Sequence, residues 1–167
     1  MALATGGLIR PLMPKLTMTR RAADNAYCHP DFHGALSLAL DYLEKTYGAE
    51  AVRDYLRRFT LSYYAPLREA LRERGLAALA EHFRAVYAQE GGEAEIICSE
   101  ETLVIKVCAC PAVRHLRARG YPIARLWGET TRTVNETLCE GTPYLAEFLA
   151  YNPETGAAIQ LFRRRQP

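Results

Sequence analysis

Val107-Cys108-Ala109-Cys110-Pro111-Ala112-Val113-Arg114-His115 is where the chain changes its period. Before Cys110, Thr102 to Ala109 is β-branched and apolar, which reads as a central strand. After it, Pro111 suits the first position of a helix, where its missing N–H leaves nothing unsatisfied. A helix over Pro111 to Arg119 follows, ended by Gly120. A strand thus runs directly into a helix, with Cys110 near the N-cap.

Toward the C-terminus, Leu126 to Leu138 has helical spacing. Strands over Tyr144–Tyr151 and Ala157–Arg164 flank Asn152-Pro153-Glu154-Thr155-Gly156, a strong turn signal, and predict a hairpin. Toward the N-terminus, Glu95–Cys98 reads as a short strand, joined to Thr102–Ala109 by a turn at Ser99-Glu100-Glu101.

Three helices precede it. The first has the stripe Phe32, Leu36, Ala39, Leu40, Leu43 and Tyr47, with Asp31 as its cap and Gly48 as its stop. The second carries Val52, Tyr55, Leu56, Phe59 and Tyr63, and Pro66 kinks or restarts it before Leu67 and Leu71. The third runs from Leu76 through Phe83 to Tyr87 and ends at Gly91-Gly92.

The order ααα-ββ-αα-ββ predicts an α+β fold, a three-helix half packed on a mainly antiparallel four-stranded sheet. Residues 1–24 read as an irregular arm and 25–167 as a single domain.

Composition agrees. The chain has 167 residues, enough to bury one core without a disulfide or metal. Net charge is +2, too near neutral to argue for nucleic acid. The one basic run, Arg163-Arg164-Arg165, reads as a solvated tail. No run of about 18 apolar residues suggests a membrane span, and residues 1–24 lack the apolar core of a signal peptide. The five cysteines are odd in number, so reduced thiols and a cytoplasmic location are expected.

The chemistry concentrates around Cys110. Free N–H groups and the dipole at a helix start stabilise an anion, which predicts a lowered thiol pKa. A thiolate is the competent nucleophile or metal ligand. Arg114 and His115, about one turn on, supply positive charge or a base. Three readings stay open: small buried hydrophobes, a nucleophilic Cys110, or a metal module of Cys108, Cys110 and His115 or His29. Period-2 alternation sets Cys108, Cys110 and Lys106 on one face, but no C-x-x-C occurs. No metal or other cofactor is therefore assigned.

Cys28, His29 and His33 form a second group, read as capping or packing, and His82 reads as a boundary residue. Of the ten tyrosines, most belong to the core, and Tyr144 is a candidate pocket residue. Trp127 is a candidate pocket wall. Glu129, Glu136 and Glu147 are acids that can orient His115 or meet a substrate cation. No phosphate-binding loop, dinucleotide fingerprint or G-x-S-x-G elbow is present.

The three helices, the hairpin, the element Val107-Cys108-Ala109-Cys110-Pro111-Ala112 and the closing hairpin resemble the L-2-amino-thiazoline-4-carboxylic acid hydrolase family. That family is similar in turn to small-molecule-binding domains of the 4-vinyl reductase type. The likeness spans roughly residues 28–164 and implies a pocket between helices and sheet. It also implies hydrolytic opening of a small C–N or C–S ring, with Cys110 carried over as nucleophile and Pro111 behind it. The Gly-x-x-Cys ending of the vinyl reductase type is not cleanly present around Cys139.

The leading expectation is a cysteine-dependent hydrolase of a small heterocycle or amide. Cys110 attacks, His115 moves protons, helix N–H groups hold the oxyanion, and Cys108, Arg114, Trp127, Glu129 and Tyr144 bind substrate. The alternatives are a non-catalytic sensor domain for a small molecule and the metal module. A homodimer through the helical half is expected, with no nucleic-acid or membrane partner.

Overall fold

The computed structural model describes residues 30–166. The expected arm over 1–24, with Cys28 and His29, lies outside them. Among the described residues there are six helices and four strands. They are α1 (Pro30–Tyr47), α2 (Ala49–Tyr63), α3 (Ala65–Arg74), α4 (Leu76–Gln89), β1 (Glu93–Cys98), β2 (Thr102–Ala109), α5 (Pro111–Ala118), α6 (Glu129–Leu138), β3 (Tyr144–Tyr151) and β4 (Ala158–Arg164). The α+β class is as the periodicity predicts. All three strand pairings are antiparallel, in the order β1-β2-β4-β3. The two hairpins sit side by side, and β2 and β4 form the centre.

Four helices, rather than three, precede the sheet. Pro66 restarts the helix instead of bending it, because it has no N–H to continue the ladder. The break leaves Tyr64 between α2 and α3, at φ −94 and ψ 17. α6 begins at Glu129, three residues after the expected Leu126, since residues 124–128 wind as tight turns first. α1 begins at Pro30, so Asp31 falls inside its first turn rather than at the cap.

Two apolar clusters make the core. Leu71, Leu76 and Leu79 pack from α3 and α4 onto Leu103, Ile105 and Phe162 of the sheet. Leu40, Val52, Leu56, Val113, Leu116 and Trp127 join α1, α2 and α5 in the second. The buried face of α1 is offset from its apolar stripe: Gly34, Ser37 and Leu40 are buried, while Phe32 and Tyr47 are 48% and 66% exposed. Ser37 explains the offset. Its hydroxyl donates to the Pro122 carbonyl at 2.7 Å and accepts from the Ala124 N–H at 2.8 Å, so α1 is tied to the segment before α6.

The basic run is not a tail. Arg163 and Arg164 belong to β4 and pair with Glu147 and Glu101, and Arg165 donates to the Tyr144 carbonyl. Among the described residues, no helix is long and apolar enough to cross a membrane.

Candidate functional site

A cavity of about 330 Å³ opens where the two clusters meet. Leu36 and Cys110 on its wall belong to the margin of the helical cluster, and Tyr64 and Val134 to that of the sheet cluster. α1 supplies Phe32 and His33, α2 supplies Tyr55, Leu56, Phe59 and Tyr63, and α6 supplies Thr130, Thr131 and Val134. Trp127, Tyr151 and Gly156 complete the wall beside Cys110 and Ala112.

The Pro66 break has a consequence for this wall. By stopping α2, it holds Tyr64 edge-on to Tyr63 and Phe59, whose rings stack on each other at 5.1 Å. Tyr55 and Tyr63 are 39% and 55% exposed, so with Phe32 they form an aromatic rim. Trp127 is nearly fully buried and meets the His33 ring edge-on.

Cys110 is the N-cap of α5, in extended geometry, as the Cys-Pro junction predicts. The β3–β4 turn clamps it. The Cys110 N–H donates to the Thr155 carbonyl at 3.0 Å, and Gly156 sits so close that a β-carbon there would lie 2.4 Å from Cys110 Cβ. The thiol differs from expectation. Burial pushes its pKa up, and this outweighs the lowering by the Val113 and Ala112 amides; Glu90 raises it further and Arg114 lowers it. No cap hydrogen bond of normal geometry forms from the side chain. The amides therefore act as oriented dipoles, which is too little to offset desolvation. The resting thiol is protonated at neutral pH.

Trp127 and Cys110 are the only members of the expected site that border the cavity. His115 does not border it; its Nε2 is buried without a hydrogen-bond partner, and its ring lies 6.3 Å from that of Tyr121. Arg114 is exposed and donates to the Gly91 carbonyl. Cys108 is exposed with Lys106 on the open face of the sheet, whereas Cys110, just past the end of β2, borders the cavity instead. Glu129 accepts from Thr133 and faces Arg53 and Arg132. Tyr144 is buried in the sheet cluster under Arg164. Glu147 pairs with Arg163 and Glu136 is exposed, so the three acids are engaged elsewhere or in solvent rather than orienting His115.

His33, rather than His115, is the histidine that the structure brings to the cavity wall. It borders the cavity, and its Nε2 lies 3.7 Å from Glu90 Oε1 at the end of α4. Burial and the neighbouring His115 lower its pKa, and burial raises that of Glu90, so the pair favours the neutral forms of both. No local signal points to this pairing, since residues 33 and 90 approach only through tertiary packing.

Among the described residues, no three His, Cys, Asp or Glu side chains converge as a metal site. The four described cysteines are free thiols. No family model matches this chain, and neither the curated proteins nor the solved structures searched contain a match.

Proposed function

We propose that this cavity binds a small organic molecule and that Cys110 acts on it as the nucleophile of a hydrolase, opening a C–N or C–S bond in a small ring or amide. The observation that carries the reading is Cys110 itself: one residue is the N-cap of α5 and also forms part of the cavity wall. The resemblance to the L-2-amino-thiazoline-4-carboxylic acid hydrolase family points the same way.

In this reading His33, neutral at rest, takes the thiol proton as sulfur attacks the electrophilic carbon. Glu90 beside it steadies the imidazolium that forms. Collapse of the tetrahedral adduct breaks the ring bond, and His33 returns its proton to the leaving nitrogen or sulfur. Attack at a carbonyl leaves a thioester and attack at a C=N carbon a thioimidate. Water adds to either, His33 takes a proton from that water and returns it to the departing Cys110 sulfur, and the acid or amide product leaves. The Ala112 and Val113 amides attend the sulfur, so the oxyanion role first expected of them falls to other donors.

An acyl burst tests the proposal. With p-nitrophenyl acetate, one p-nitrophenolate is expected per chain in a rapid first phase, absent from Cys110→Ala. If the folded wild-type chain gives no burst, or the variant keeps it, Cys110 is not the nucleophile.

A second reading is non-catalytic binding, as in a sensor domain. The raised thiol pKa and the aromatic walls favour it, since both suit recognition without chemistry. It is what an absent burst would leave.

Two further points belong to the same proposal. Free thiols at Cys98, Cys108, Cys110 and Cys139 support a reducing, cytoplasmic setting. The exposed Leu38, Tyr42 and Tyr47 on α1 support a homodimer through the helical half. Light scattering is expected to give twice the mass of one chain, and a monomer mass at micromolar concentration would remove the dimer.

A further inference from the structure

We infer that the ligand of this cavity is an uncharged aromatic or heteroaromatic molecule, with neither a carboxylate nor an ammonium group. The inference deepens the proposed function and rests on its cavity, but not on Cys110 being reactive.

The lining holds no Lys, Arg, Asp or Glu among the described residues. A smaller pocket of about 100 Å³ lies against it, with Tyr64, Thr130, Thr131 and Val134 common to both walls. That smaller pocket is polar, with Tyr87, Asn135 and Gln160, yet it too has no Lys, Arg, Asp or Glu, and burial lowers the pKa of its one histidine, His82, toward the neutral form. Asn135 donates to Gln160 Oε1 at 2.7 Å, and both residues are almost fully buried. An ion placed here would lose its water and find no partner of opposite charge, which is strongly unfavourable.

The cations on the neighbouring helices are committed elsewhere. Arg53 and Arg132 face Glu129, and Arg57 holds Glu140 through two hydrogen bonds. His33 is the one titratable base on the main wall, and its surroundings keep it neutral.

The neutral partners are well placed. Trp127, Phe59 and Tyr64 offer ring faces and edges, and the threonines and amides offer donors and acceptors to ring heteroatoms or a carbonyl. A volume near 330 Å³ is at the small end for a ligand pocket and suits roughly one or two fused rings. A thiazoline bearing a free carboxylate would therefore bind poorly, so the ring chemistry of the resembled family carries over without its acid group.

The test uses three probes of one shape and different charge: benzamide, benzoate and benzamidine. Trp127 is the only tryptophan in the chain, so its fluorescence reports occupancy directly. Benzamide is expected to bind at least about tenfold tighter than either ion, reflecting the desolvation of an unpaired charge. Thr131→Arg, which adds a cation to the wall, is expected to move the preference toward benzoate. Benzoate or benzamidine binding the wild-type chain as tightly as benzamide overturns the inference. So does a folded chain that binds none of the three at millimolar concentration. No turnover is needed, so a missing acyl burst ends the hydrolase reading and leaves this order of affinities standing.

Discussion

Alanine at Gly156 is expected to destabilise the fold by about 2–5 kcal/mol, the sum of a left-handed backbone penalty and an overpacked contact. Gly156 has φ +68, and its missing β-carbon would meet Cys110 Cβ at 2.4 Å and Val113 Cγ2 at 2.8 Å. Neither neighbour can yield easily, because Cys110 is held through its N–H to Thr155 and Val113 is buried in the helical cluster. Gly141 is the matched control. It has φ +68 too, but nothing lies within 4 Å of its would-be β-carbon. Gly141→Ala should therefore show only the backbone part, on the order of 1–2 kcal/mol. Urea unfolding of the two variants separates the terms. Equal losses would mean that the turn does not clamp Cys110.

The second large effect is kinetic. Cys110 is expected to react with iodoacetamide much more slowly than Cys108 at pH 7.5, although Cys110 has the helix N-terminus. Only the thiolate reacts, and each unit by which a pKa is raised removes about tenfold of it. Burial raises the Cys110 pKa, whereas Cys108 is exposed on the sheet's open face. The sign follows directly: the Cys110 rate should keep climbing with pH beyond the point where an ordinary thiol has levelled off. Peptide mass spectrometry of both cysteines across pH 7–10 reads it out. A Cys110 rate that is already at its plateau near pH 7 would show instead that the dipole wins over desolvation.

The strand-to-helix junction at Cys110-Pro111 was fully legible, because proline chemistry and the change of period are local. So was the Asn152–Gly156 turn. Its second role was not: no local signal says that this turn closes over Cys110, since the contact spans more than forty residues of chain. The pKa expectation failed for a related reason. Sequence shows the helix start that lowers a thiol pKa but not the burial that raises it, and here burial is the larger effect. Local spacing points only to a packing role for His33, since its partners, Glu90 and Trp127, come from the C-cap of α4 and the segment before α6. Nearness in sequence to Cys110 points to His115, yet a position five residues along a helix turns away from the N-cap's side chain. Tyrosine suits core and pocket alike, and only tertiary packing decides that Tyr55, Tyr63, Tyr64 and Tyr151 line a void while Tyr144 is buried in the sheet cluster.

The account depends on the Cys110 sulfur facing an aromatic-lined space rather than a sealed core. The direct measurement is a pair of alkylation rates, iodoacetamide against its N-benzyl derivative, compared at Cys110 and at Cys108 of the same chain. Both reagents carry the same electrophile, so the exposed Cys108 serves as the internal reference. If the cavity seats a neutral ring, the benzyl reagent should gain about tenfold at Cys110 relative to Cys108, the equivalent of roughly 1.4 kcal/mol of binding. A benzyl reagent that is no better, or worse, at Cys110 than at Cys108 would contradict the account, because the ring would then have no place beside that sulfur.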